Sequence, residues 1–150
     1  MDDNKKVVIN NDGGSRGNPG PSAFACVFFV EDRHYKSYSE FLGQKTNNEA
    51  EYAGLIFALK KAKALFGKDK IKTMDLEILS DSELLVNQMS GKYKIKEPHI
   101  QKLFLLAWNL KIDFANVSFI VIPREQNKTA DALLNETLDK QQKENSQKLI

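Results

Sequence analysis

Residues 5–30, KKVVINNDGGSRGNPGPSAFACVFFV, decide the fold. Lys5 to Asn11 reads as a buried strand that ends at Asp12. The glycine- and proline-rich run from Gly13 to Ser22 suits neither a helix nor a strand interior and is predicted to be a turn. Ala23 to Val30 is a strongly apolar second strand. Glu31-Asp32-Arg33 then turns the chain into a third, His34 to Leu42, with Tyr35 and Tyr38 as strand aromatics. Three strands joined by short connections predict an antiparallel meander.

Downstream of the meander the apolar period changes. Tyr52, Leu55, Ile56, Leu59, Ala62 and Phe66 recur at helical spacing, with capping oxygens on Thr46, Asn47 and Asn48 before them and Gly67 after them. Leu76 to Leu79 is a short strand that leads into Ser80-Asp81. A helix from Ser82 to Met89 follows, broken at Ser90-Gly91. Pro98 opens another helix, striped by Ile100, Leu103, Phe104, Ala107, Trp108 and Leu110. Val117 to Ile122 is expected as a final buried strand. Asn127 to about Lys140 is expected as the last helix, with Ala130, Leu133, Leu134 and Leu138 inward, and the polar residues 140–150 as a fraying tail. The order βββ, α, β, α, α, β, α predicts an α/β fold: one five-stranded mixed sheet flanked by helices. Strands four and five, each reached through helices, run parallel to the first.

The bulk numbers fit this picture. A chain of 150 residues, 41% apolar and 28% charged, makes about one domain, and no apolar run is long enough to span a bilayer. Met1 to Lys6 lacks the apolar core of a signal peptide, and the single cysteine, Cys26, lies in an apolar stretch as a buried, inert thiol. A cytoplasmic monomer is the expectation. The net charge of +2 does not diagnose a polyanion partner. Lys60, Lys61, Lys63, Lys68, Lys70 and Lys72 read as a solvated helix face, whereas Lys92, Lys94 and Lys96 alternate with Tyr93 in a pattern suited to phosphates.

Four acids carry the functional reading. Asp12 and Asp81 close strands; Glu51 and Asp131 lie near helix starts. In open α/β sheets both kinds of position point to the crevice beyond the carboxyl ends of the strands. Taken singly, each is an ordinary surface acid or cap. Gathered together, they make a hole of negative charge that must take up protons or hard cations. A metal-dependent enzyme acting on phosphates fits that pattern. His34 and His99 lie far from these residues in sequence, and the glycine run lacks the Gly-Lys-Ser/Thr of a phosphate-binding P-loop.

The flanking residues add a resemblance. Asp12-Gly13-Gly14-Ser15-Arg16-Gly17-Asn18-Pro19-Gly20 resembles a signature of type 1 ribonuclease H. Thr46-Asn47-Asn48-Glu49-Ala50-Glu51-Tyr52, Ser80-Asp81-Ser82 and Ala130-Asp131-Ala132-Leu133 are similar to that family's three later blocks. They occur in the family's order and spacing, over about residues 5–139. The resemblance implies a ribonuclease H-like fold, a catalytic domain over residues 1–139, and endonucleolytic cleavage of the RNA strand of RNA–DNA hybrids, leaving 5′-phosphate and 3′-hydroxyl ends. It implies two Mg²⁺ ions, with Mn²⁺ as a substitute: Asp12 shared by both, Glu51 and Asp81 beside the leaving oxygen, Asp131 beside the attacking water. It also implies contacts to the hybrid from Ser15, Asn18, Asn47 and Asn48, and a DNA-phosphate contact from Thr46 with Asn48. Gly14 would let the backbone approach a minor groove, where the 2′-hydroxyl distinguishes RNA from DNA. Lys92, Tyr93 and Lys94 would grip the DNA strand.

Three departures from the family's pattern stand out. The connection from Met89 to Pro98 is short, where many members carry a basic, tryptophan-bearing insertion. Pro123-Arg124-Glu125-Gln126-Asn127 lacks the histidine that many members place before the last aspartate, which leaves Arg124 or Glu125 as candidates to assist water delivery or product release. Glu83 stands where a glutamine often meets the nucleic acid. The alternatives are a nuclease with another duplex preference, such as double-stranded RNA, a non-catalytic hybrid-binding module, or a subunit of a larger complex.

Overall fold

A computed structural model of the chain describes residues 5–148. The first residues of the expected domain, 1–4, and the end of the expected tail, 149–150, lie outside the described residues. β1 (Val7–Ser15), β2 (Gly20–Val30) and β3 (Arg33–Lys45) form the antiparallel meander. α1 (Asn47–Phe66) and the short α2 (Lys68–Ile71), which the periodicity did not announce, lead to β4 (Asp75–Ser80). Then come α3 (Glu83–Met89), α4 (Pro98–Ile112), β5 (Asn116–Val121), a 3₁₀ turn (Arg124–Gln126) and α5 (Lys128–Lys148). The sheet order is β3-β2-β1-β4-β5, with β4 parallel to β1 and β5 parallel to β4. The expected five-stranded mixed sheet is present.

β2 sits inside the sheet with helices on both faces, which explains its unbroken apolar run. Phe24, Cys26 and Phe28 face the main core with Tyr52, Leu55 and Leu59 of α1. The alternate residues, Ala23, Ala25 and Val27, meet Ala130, Leu134 and Leu138 of α5. Small residues on that face let α5 lie close to the strands. The turn into β3 is tighter than expected: Glu31 and Asp32 both take positive φ, 51° and 65°, as a two-residue hairpin requires.

Four expectations need correction. Gly13 to Ser22 is not one long turn: β1 runs on through Gly13 and Gly14 to Ser15, β2 begins at Gly20, and Gly13 pairs with Phe24. Asp12 therefore lies inside β1 rather than at its end. Its position beyond the sheet's parallel edge survives, because the β1–β4 pairing stops at Asn10 and Leu79. β5 is not fully buried: as the edge strand it leaves Ile120 and Val121 about two-fifths exposed. Finally, the polar segment after Lys140 continues α5 to Lys148, since its Gln, Lys and Glu residues favour helix and nothing in it breaks the run.

Candidate active site

Local structure delivers each acid to the same crevice. Thr46 caps α1 in a capping box: its Oγ1 accepts from Glu49 N at 3.2 Å, and Glu49 Oε1 accepts from Thr46 N at 3.0 Å. The Glu49 carboxyl is accordingly held below its ordinary range, chiefly by that backbone hydrogen bond. This fixes the start of α1, and Glu51 follows in its second turn. Ser82 caps α3 by accepting from Leu85 N, and its hydroxyl donates to Glu51 Oε2 at 2.6 Å, so the segment after β4 is tied to α1. Asp81 stands between β4 and α3.

α5 is anchored through a buried asparagine. Asn127 Nδ2 donates to the carbonyl of Asn11, and its Oδ1 accepts from Asn10 Nδ2. Its own carbonyl accepts from Asp131 N at 3.0 Å. The first turn of α5, with Asp131, is thereby pinned beside the β1 residue that precedes Asp12.

A single cavity of about 730 Å³ is lined by Asp12, Glu51, Asp81 and Asp131, together with Gly14, Ser15, Asn47, Glu83 and Arg124. The four acids foreseen from sequence do converge. Asp12 is only 7% exposed, and its carboxyl is pushed up to about 8 by burial first and then by Asp81, Asp131 and Glu51. Glu51 is raised to about 7 by burial, against the Ser82 hydrogen bond and with Asp81 adding. Both shifts come from burial first, with the neighbouring carboxylates adding to it. Of the two guanidinium groups lining the cavity, Arg16 is engaged by Asp139 at 2.7 Å, and Arg124 Nε stands 3.8 Å from Asp81 Oδ2 with its side chain 82% exposed.

These donors fit a hard divalent cation: carboxylate oxygens in a confined, uncompensated site. Among the described residues no three or more of His, Cys, Asp and Glu are already drawn in to ligand geometry. The convergence is a shared cavity with mutual repulsion, and a cation would have to pull the oxygens together.

The remaining predicted residues divide. Ser15 N donates to Asn47 Oδ1 at 2.8 Å, and Asn47 N donates to Asn18 Oδ1 at 3.0 Å, so the glycine loop and the α1 start form one surface beside the acids. Thr46 is committed to its cap. Asn48 turns away into a neighbouring cavity of about 210 Å³, which it shares with Gln88, Lys94 and Lys96, and its buried Oδ1 has no hydrogen-bond partner among the described residues. Tyr93 is half-exposed on the same connection, and Lys92 is exposed. Glu125, in the 3₁₀ turn, is exposed and does not line the acid cavity. Sequence reasoning missed Ser82, Asn127, Arg16 and Asn135 as supporting residues. The recurrence of Asp131, Asn135 and Asp139 every fourth residue was the available signal for the last two.

Comparison with known proteins bears on the chemistry. Residues 10–137 match the family model described as "Reverse transcriptase-like". A ribonuclease HI of Halobacterium salinarum is 40% identical over 129 residues, 85% of this chain and 62% of that protein. A bifunctional protein of Mycobacterium tuberculosis is 40% identical over 136 residues, 89% of this chain but 36% of the relative. The chain thus spans about a third of the length of the first curated relatives it matches. Among solved structures, a ribonuclease H1 in complex with an RNA/DNA hybrid superposes with a TM-score of 0.84 at 41% identity, covering 89% of this chain and 97% of that one. The N-terminal ribonuclease H domain of the Mycobacterium tuberculosis protein gives 0.81 at 39% identity, covering 90% and 94%.

Proposed function

The chain belongs to the ribonuclease H-like family of reverse transcriptase-like domains, and on that premise we propose that it is an endonuclease hydrolysing the RNA strand of RNA–DNA hybrids. The observation that carries the proposal is the joining of two features at one cavity. Asp12, Glu51, Asp81 and Asp131 line it together, and the Ser15–Asn47–Asn18 hydrogen-bonded surface forms its rim.

In this reading the rim meets the minor groove of the hybrid. The Gly14 backbone admits close approach, and the amides of Asn18 and Asn47 can both donate to and accept from a 2′-hydroxyl. Asp12, Glu51, Asp81 and Asp131 would hold two Mg²⁺ ions, for which Mn²⁺ is a substitute. Bound there, the pair would polarise the scissile phosphate and supply an activated water. Asp12 would be the ligand shared by both, Glu51 and Asp81 would hold an ion on the leaving-oxygen side, and Asp131 would hold one on the water side. Ser82 keeps the Glu51 carboxylate oriented. Arg124 adds an exposed positive charge at the mouth, suited to an incoming or departing phosphate, with Glu125 beside it. Glu83 adds a negative charge to the lining. Lys92, Tyr93, Lys94 and Asn48 would grip the DNA strand further along. A catalytic domain over residues 1–139, acting as a cytoplasmic monomer, completes the proposal.

Labelled RNA–DNA hybrid, double-stranded RNA and double-stranded DNA, each incubated with Mg²⁺, Mn²⁺ or EDTA beside Asp12→Asn, test this directly. Loss of only the hybrid's RNA strand, with divalent metal and not with the variant, is expected. Cleavage of double-stranded RNA at an equal rate would reassign the substrate. Tight binding of hybrid without cleavage would make the chain a binding module.

A further inference from the structure

One polar chain leads from the glycine loop to Asp131 along α5. Asp131, Asn135, Asp139 and Gln142 fall on a single helix face, and Arg16 lies across them. Arg16 Nη2 meets Asp139 Oδ1 at 2.7 Å and donates to Asn135 Oδ1 at 3.1 Å, while its Nη1 donates to Gln142 Oε1. Asn135 Nδ2 in turn donates to the carbonyl of Asp131 at 2.9 Å and to Asp131 Oδ1 at 3.3 Å. The loop end is also fixed: Arg16 N donates to the Pro21 carbonyl at 2.8 Å.

The chemistry of the groups makes this connection directional. A guanidinium only donates and a carboxylate only accepts, so the amide between them has one satisfactory orientation. With Oδ1 toward Arg16, the Asn135 NH₂ must face Asp131. Turned over, the amide would set its oxygen against the Asp131 carboxylate and its NH₂ against the guanidinium. Asp139 and Gln142 hold the guanidinium plane, and a planar fork reaches several partners at once as a lysine ammonium does not.

We propose that Arg16 and Asn135 are positioning residues that set the Asp131 carboxylate from the loop bearing Ser15 and Asn18, so that the substrate-facing rim and this acid move as one unit. The inference rests on the proposed nuclease reading for its consequence in catalysis. Its structural half stands apart from that reading. Neither residue touches the reacting atoms.

Two measurements test the link, both on the whole chain. In the first, carbon-detected NMR follows the Asp131 carboxyl and the Asn135 side-chain amide in Arg16→Met, without metal or substrate. Both signals should move, the Asp81 carboxyl should stay, and Arg16→Lys should restore part of the shift. An unmoved Asp131 signal in a variant whose remaining spectrum is native would overturn the proposal, whether or not the protein cleaves hybrid. In the second, hybrid cleavage is measured for Arg16→Met, Asn135→Leu and the double variant. The expected loss in kcat is about tenfold for each single change, with KM nearly constant, and the double variant should be no slower than the worse single one. Losses that multiply, or a rise in KM alone, would show two independent contacts and sink the coupling. Absence of cleavage by the parent protein would count against the nuclease reading only, leaving the NMR result to decide the link.

Discussion

A methyl group added to Gly13 would stand 2.5 Å from the carbonyl carbon and oxygen of Ala50, and as close to the nitrogen of Glu51. β1 and the second turn of α1 therefore touch backbone to backbone at this point. Only a residue without a side chain lets Asp12 and Glu51 share a cavity.

Gly13→Ala should accordingly be destabilising, although alanine for glycine in an extended strand ordinarily gains a few tenths to about 1 kcal/mol from the unfolded chain. Overpacking against rigid backbone outweighs that gain, at about 1–3 kcal/mol. A fall in Tm of roughly 2–4 °C per kcal/mol is expected for a chain of this size. Cleavage of hybrid should fall further than the lost stability explains, because α1 must retreat from β1. An unchanged Tm together with full activity would contradict the contact.

The raised carboxyls predict a pH dependence of stability with a definite sign. A carboxyl whose pKa is higher in the fold than in the unfolded chain stabilises fully below its unfolded value and progressively less as pH rises through its folded value. For Asp12 that window runs from 3.8 to about 8, and for Glu51 from 4.5 to about 7. In EDTA, Tm should therefore decline across this range. Asp12→Asn should flatten the decline, and millimolar Mg²⁺ or Mn²⁺ should reverse it at neutral pH. Thermal melts at a series of pH values decide the matter; a Tm that rises from pH 5 to 8 would not be compatible with the cluster.

Ser82→Ala removes two hydrogen bonds at once, the α3 cap and the donor to Glu51. Loss of the cap alone should cost about 0.5–2 kcal/mol. Loss of the donor should raise the Glu51 pKa further, moving the acid limb of the pH–rate profile upward. Ser82→Asn can keep the cap, so it should regain stability by denaturant titration without fully restoring the pH profile.

Arg124→Ala tests the mouth of the cavity. Its exposed side chain makes, among the described residues, a single 3.8 Å ion pair with Asp81, so stability should stay within about 0.5 kcal/mol. A several-fold loss of kcat is expected, with single-turnover and steady-state rates separating chemistry from product release. Identical rates in Arg124→Ala would remove the residue from the mechanism.

Replacing Lys92 and Lys94 by alanine should weaken hybrid binding at every sequence alike. The slope of log K against log salt should shallow by about 0.7–0.9 for each lysine that neutralises a phosphate. Binding measured by anisotropy between low and physiological salt would give that slope; no change would reassign the connection to a solvated loop.

The meander, the helix capped by Thr46, the two parallel strands and the convergence of four acids were all legible in the chain. Alternation, capping residues and connection length act locally, and topology rules then leave few arrangements. Other features had no local signature. Whether Gly13 and Gly14 belong to a turn or a strand depends on Ala50 and Leu134, residues remote in sequence that lie against them. The burial of Val117–Ile122 could not be read from its composition, since an apolar strand looks alike at a sheet's edge and at its centre. The helix after Lys140 was hidden by polarity, which reports exposure rather than backbone conformation. The sequence by itself determined which acidic side chains would meet and roughly where the sheet would gather them. Only the tertiary structure decided how they are held, through Ser82 on Glu51, Asn127 beneath Asp131, and Arg16 and Asn135 along α5. Those supports are hydrogen bonds between distant segments, and their partners become neighbours only once the core has closed.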